Sequence, residues 1–227
     1  MNVPVASSEK YKYNISWSAK CGCTTLRRLF LYLHEDELIN GPTNQWHNLH
    51  QDFPSRGSEF KRTIMLSRNP YDRVVSTFTN KICGGIGHNT LSELIPLDQV
   101  TFKNFLLYIS KNKIDDIHVK SQNYIVSLCK DHDTFNVKLE NFNEDIIKAY
   151  QYFDLKDLIP KIKKFLVQED GFKNETIRNE NELFCGETIY SINRTTFPAS
   201  IHFYNDELRK LVQEIYSADF EAFDYPM

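Results

Sequence analysis

Tyr13-Asn14-Ile15-Ser16-Trp17-Ser18-Ala19-Lys20-Cys21-Gly22-Cys23-Thr24-Thr25-Leu26-Arg27-Arg28-Leu29-Phe30 is the stretch whose reading decides the fold. Tyr11, Tyr13, Ile15 and Trp17 alternate with Lys12, Asn14 and Ser16, which predicts a strand with one apolar face. A short turn follows, and then Leu26, Leu29, Phe30 and Leu33 recur at helical spacing. Thr24 or Thr25 is placed to cap that helix. The unit is therefore strand, tight loop, helix. Arg62 to Ser67 starts a second such unit as a short buried strand. Arg68-Asn69-Pro70 is its turn, Pro70 suits the first helical position, and Val74, Val75, Phe78 and Ile82 form the apolar stripe. Strands alternating with helices imply a parallel sheet with right-handed crossovers.

Further along, helices are expected near 101–111, 117–129, 143–152 and 155–167, with a strand at Phe135 to Leu139 and a closing helix over roughly 203–217. Asn40 to Phe60 reads as a long functional loop or an unrecognised strand, Gly84, Gly85 and Gly87 as a flexible break, and 168–187 as a polar surface excursion. No repeat, linker or composition break divides the chain, so one domain over 1–227 is expected.

Composition narrows the function. The 227 residues carry 27 Lys+Arg against 30 Asp+Glu, a formal net charge of −3. That balance argues against a nucleic-acid binder relying on bulk positive charge, though not against a local basic pocket for one anionic ligand. Five cysteines, an odd number in a chain too large to need staples, read as free thiols in a reducing compartment. Residues 1–10 lack the basic and apolar regions of a signal peptide, and no apolar run reaches membrane-spanning length. A cytoplasmic, untethered chain is the expectation.

Two constellations carry chemistry. Ser18 to Thr25 combines small residues, Gly22, a following helix start, the Lys20 ammonium and the Thr24 and Thr25 hydroxyls, an assembly suited to phosphate. It is no Walker A loop, because GxxxxGK[ST] is absent and Lys20 precedes the glycine. Cys21 and Cys23 lack the partners of a zinc site and read as small residues that let the backbone approach an anion, with thiol pKa values lowered at the helix start. In the second constellation, Leu66 to Phe78, Arg68 stands at the carboxyl end of a strand, where α/β sheets bind ligands, and Ser76 lies about two turns into the helix. Arg73 either joins a phosphate site or forms a surface ion pair with Asp72 or Glu59.

Together the two constellations resemble the PAPS-dependent sulfotransferases. AKCGCTTLRRLF is similar to their phosphosulfate loop, P-K-x-G-[ST]-[ST] or, in carbohydrate members, P-K-x-x-C-[ST]. LSRNPYDRVVSTF is similar to R-[ND]-P-x-x-R-x-x-S, with Arg68, Pro70, Arg73 and Ser76 in step. Asp116-Ile117-His118 with Gln122, the stretch Phe135 to Phe142, and IYSADFEAFDY at the end resemble further segments of the carbohydrate-modifying members. Ala19 stands where proline is usual, and Val119 where tryptophan is usual.

The resemblance implies a P-loop-like three-layer α/β/α fold with a central, mainly parallel sheet. It implies 3′-phosphoadenosine 5′-phosphosulfate as donor, adenosine 3′,5′-bisphosphate as product and no metal. Lys20, Cys21, Gly22, Cys23, Thr24 and Thr25 would then hold the phosphosulfate, and Arg68 and Ser76 the 3′-phosphate, with Arg73 and Arg194 as further cofactor contacts. The acceptor would be a hydroxyl, foremost of a carbohydrate, with a small molecule as the other class. His47 is the favoured general base and His50 the alternative, since a ring titrating near neutrality suits proton abstraction. His118 would shape the acceptor cleft, and His34, ending a helix, reads as a dipole-complementing cap. The rival readings are a small-molecule kinase with a variant P-loop and a nucleotide-binding relative without turnover.

Overall fold

A computed structural model describes residues 5–8, 10–34, 60–84, 95–96, 100–170, 184–191 and 196–227. In chain order the strands are β1 (Val5–Ser8), β2 (Tyr13–Trp17), β3 (Arg62–Ser67) and β4 (Asp133–Lys138). The helices are α1 (Cys23–His34), α2 (Pro70–Thr77), α3 (Phe102–Lys111), α4 (Tyr124–Leu128), α5 (Phe142–Tyr152), α6 (Ile159–Asp170) and α7 (Asp206–Ala222). The described residues form two compact units. One comprises Met1–Arg68 with Gln122–Asn174, and the other Asn69–Ser121 with Glu175–Met227.

The first unit holds the sheet, in the order β1-β2-β3-β4. β1 runs antiparallel to β2, and β2, β3 and β4 are parallel, with Trp17 beside Leu66 and Ser67 beside Lys138. This is the α/β class with a mainly parallel sheet that the strand–helix alternation implied. Tyr13, Ile15, Trp17, Ile64, Leu66 and Val137 point to one side and share a core with Leu26, Leu29 and Phe30 of α1, Ile146 and Tyr150 of α5, and Ile162 and Phe165 of α6. The alternate face of β2 is also buried, where a one-faced strand would expose it. Asn14 and Ser16 are sealed from solvent. Asn14 is satisfied there, its Nδ2 donating to the Phe60 carbonyl at 2.8 Å and its Oδ1 accepting from Ser7 Oγ at 2.8 Å. Strands in a parallel sheet are ordinarily buried on both faces.

The second unit is helical. Asn69 Oδ1 caps α2 by accepting from Tyr71 N at 2.9 Å, and Pro70 opens the helix as expected. A π-helical turn, Phe78–Ile82, extends it. The Phe78 ring meets Phe102, Phe105, Tyr190 and Phe203 at centroid distances of 5.5, 5.7, 5.7 and 6.1 Å, a mainly edge-to-face cluster that forms the core.

Three expectations change. The helix expected over 117–129 shrinks to α4, because Asp116 Oδ1 accepts from His118 N at 2.7 Å and holds the chain in a local turn. The closing helix is longer than expected, and it breaks at Tyr216 (φ −118°), whose hydroxyl donates to the Val119 carbonyl at 2.8 Å. β1 was not expected, since Val5-Ala6-Ser7-Ser8 has little apolar alternation and gains its order from the ladder with β2.

Candidate functional site

Three chain segments converge at the carboxyl edge of the parallel strands in the first unit: Ser18–Gly22 after β2, Arg68 after β3, and Leu139 after β4. In α/β sheets this edge binds ligands, because the helices that follow present their N-termini there. The loop after β2 turns on two left-handed residues, Lys20 at φ +67° and Gly22 at φ +77°. Backbone of this kind gathers successive N–H groups into an anion-binding concavity. For lysine the left-handed region costs about 1–2 kcal/mol, and strain of this sort concentrates at functional positions.

Gly22 has no room for a side chain. A Cβ there would run into Leu139 Cδ1, with Cδ2 at 3.4 Å. The helix starts at Cys23, and the Gly22 carbonyl accepts its first bond from Leu26 N at 3.2 Å. Thr24 and Thr25 therefore lie inside the first turn and do not cap α1 as expected; the left-handed Gly22 launches the helix before them. Thr24 is exposed, while Lys20, Gly22, Cys23 and Thr25 are half-buried. These residues can meet a ligand through N–H groups, hydroxyls and the Lys20 ammonium.

Arg68 is half-buried, and its Nη1 donates to the Lys20 carbonyl at 3.1 Å. The guanidinium thus ties the end of β3 to the loop after β2 while leaving further N–H donors for an anion. Gln122, fully buried, bonds to the backbone of Arg68 through both ends of its amide, at 2.9 Å each. Its Oε1 also accepts from the Cys21 thiol at 2.8 Å. Cys21 is thus a buried hydrogen-bond donor behind the loop. Neither the anchoring role of Gln122 nor the exchange with Arg68 is visible in residue spacing; the only sequence signal was its place in the resemblance to the carbohydrate sulfotransferases.

In the second unit Ser76 is half-buried on α2. Arg73 is 1% exposed, which removes the surface ion pair as its fate. It donates through Nη2 to the Ile117 carbonyl at 3.3 Å and lies over the Tyr216 ring at 6.0 Å. Thr77 Oγ1 donates to the next carbonyl, His118, at 3.0 Å. Asp116 Oδ1 accepts from His118 Nδ1 at 2.8 Å. Burial pushes the Asp116 carboxyl up, but the hydrogen bonds from the His118 ring and N–H hold it below its ordinary value.

His34 does not complement the α1 dipole as expected. Burial, reinforced by Lys10 and Lys161, depresses its pKa to about 4, so the ring is neutral at pH 7. Its Nε2 pairs with the Tyr13 hydroxyl at 2.8 Å, and that hydroxyl meets Tyr150 Oη at 2.5 Å. His47, His50 and Arg194 lie outside the described residues. Among those described, no helix is long and apolar enough to cross a membrane, and no group of three His, Cys, Asp or Glu could hold a metal ion.

A family model described as the sulfotransferase family matches residues 11–226, nearly the whole chain. No curated protein and no solved structure matches it.

Proposed function

The chain belongs to the sulfotransferase family, and on that premise we propose that it moves a sulfuryl group from 3′-phosphoadenosine 5′-phosphosulfate to an acceptor hydroxyl, foremost of a carbohydrate. The observation that carries the reading is the junction of two cationic motifs at one strand edge, with Arg68 Nη1 bonded to the carbonyl of Lys20. The donor set fits the group: backbone N–H, hydroxyl, ammonium and guanidinium are all hydrogen-bond donors to anionic oxygen. When bound, the nucleotide supplies the transferable sulfuryl group.

In this reading Lys20 and the N–H groups of Gly22 to Thr25 hold the phosphosulfate, and the Lys20 ammonium offsets charge that develops on the phosphate oxygen. Removing one such donor costs on the order of 10²–10³ in rate. Arg68 and Ser76 take the 3′-phosphate, with Arg194 as a further cofactor contact. Arg73, buried against the Ile117 carbonyl, contributes by holding the 116–118 turn.

His47 is the proposed base, with His50 as the alternative. One observation favours a further reading: Asp116 Oδ1 accepts from His118 Nδ1, so that in the neutral ring the lone pair lies on Nε2, the tautomer a base requires. Single replacements of His47, His50 and His118 by alanine distinguish the three. The base is the one whose loss abolishes turnover while bisphosphate binding persists.

Calorimetric titration with adenosine 3′,5′-bisphosphate tests the whole reading. Binding and a raised melting temperature are expected in the wild type, and loss of both in Arg68→Ala. Absence of any response to donor or product overturns the proposal. A response to ATP with Mg²⁺ in their place would favour a kinase, and binding without turnover on a hydroxyl panel a non-catalytic relative.

A further inference from the structure

Gln122 opens the segment of chain that returns to the first unit, and its side chain is fully buried. Its Nε2 donates to the Arg68 carbonyl and its Oε1 accepts from the Arg68 N–H, both at 2.9 Å. That is the double exchange a hydrogen-bonded residue pair makes in an antiparallel ladder. Arg68 needs it, because the register of β3 ends at Leu66 on the β2 side and at Ser67 on the β4 side. One side-chain amide thus takes the place of a missing strand neighbour. The same Oε1 accepts from the Cys21 thiol at 2.8 Å, two residues from Ala19 and next to Lys20 and Gly22. A single planar group therefore fixes the peptide of Arg68 and the middle of the Lys20 loop against each other.

Resting on the sulfotransferase reading above, we propose that Gln122 is a positioning residue that sets the direction of the Arg68 guanidinium relative to the loop after β2. It thereby sets the spacing between the 3′-phosphate and 5′-phosphosulfate subsites. It works through Arg68 and Cys21, to which its buried amide is bonded. Only an amide can do this, because one end must donate while the other accepts twice; glutamate loses the donor and methionine both.

The experiment compares the affinity of adenosine 3′,5′-bisphosphate with that of 5′-AMP, which lacks the 3′-phosphate, in the wild type, Gln122→Met and Gln122→Glu. Melting temperature without nucleotide monitors folding. Gln122→Met should weaken bisphosphate binding roughly 10–100-fold while changing 5′-AMP binding little, so that discrimination by the 3′-phosphate collapses. Gln122→Glu keeps the acceptor oxygen for Arg68 N and Cys21 and loses the donor to the Arg68 carbonyl; a smaller drop in discrimination is expected. It carries the same test where Gln122→Met does not fold. Equal weakening of both nucleotides, or unchanged discrimination in a folded variant, overturns the positioning role. A wild type that binds neither nucleotide overturns the donor reading, and this inference falls with it.

Discussion

Replacing Gly22 by alanine should destabilise the first unit through two separable causes. Gly22 sits at φ +77°, where an L side chain costs about 1–2 kcal/mol. The new Cβ also overlaps Leu139 Cδ1 and stands 3.4 Å from Cδ2. Overpacking costs about 1–3 kcal/mol, and the low end applies here because the atoms belong to the movable end of a leucine. The sum is about 2–4 kcal/mol, or a melting temperature lower by roughly 4–16 °C for a chain of this size. Urea and thermal unfolding of Gly22→Ala, Leu139→Ala and the double variant separate the causes. Leu139→Ala clears the overlap but leaves the backbone strain. The double variant should therefore be more stable than the summed single effects by about 1–2 kcal/mol, and still less stable than Leu139→Ala. A Gly22→Ala variant within about 0.5 kcal/mol of wild type would refute the argument from backbone and space. Full additivity would refute the overlap alone.

Three further outcomes are expected. Lys20→Gly should fold at least as stably as the wild type, because glycine relieves the left-handed strain of about 1 kcal/mol, while losing on the order of 10²–10³ in turnover. Thermal unfolding beside a sulfate-transfer assay checks both halves, and a stability loss above about 1 kcal/mol would show that Lys20 is not strained. His34, with an ordinary value of 6.5 depressed to about 4 in the fold, gives stability that is full above pH 6.5 and falls as pH drops toward 4, because the unfolded chain takes up the proton first. The residue is half-buried, so the swing is about 1–2 kcal/mol after screening; His34→Gln should flatten the urea midpoint over that window. Arg73→Lys should destabilise by about 2–3 kcal/mol in urea unfolding, because an ammonium cannot both reach the Ile117 carbonyl and lie flat on Tyr216.

The order strand, loop, helix was legible twice, at Tyr13–His34 and at Arg62–Ile82, because apolar periodicity and the Asn69-Pro70 start signal are local properties. β1 was not legible. Four small residues become a strand only when β2 offers its edge. The start of the helix expected over 117–129 is a turn for a related reason: the sequence pattern cannot say whether an aspartate carboxylate will face solvent or capture the imidazole and N–H two residues on.

The candidate site divides in the same way. Residue identity and spacing alone named Lys20, Gly22, Arg68 and Ser76, since anion binding demands donors at a strand end and a helix start. The match to the sulfotransferase family rests on that same linear information. Only the tertiary structure decided that His34 is neutral, that Arg73 is a buried strut and that Gln122 stands in as Arg68's strand partner. Each of those depends on which distant residues close around a polar group. Burial sets the cost of leaving the group unpaired or charged, and a linear pattern carries no measure of burial.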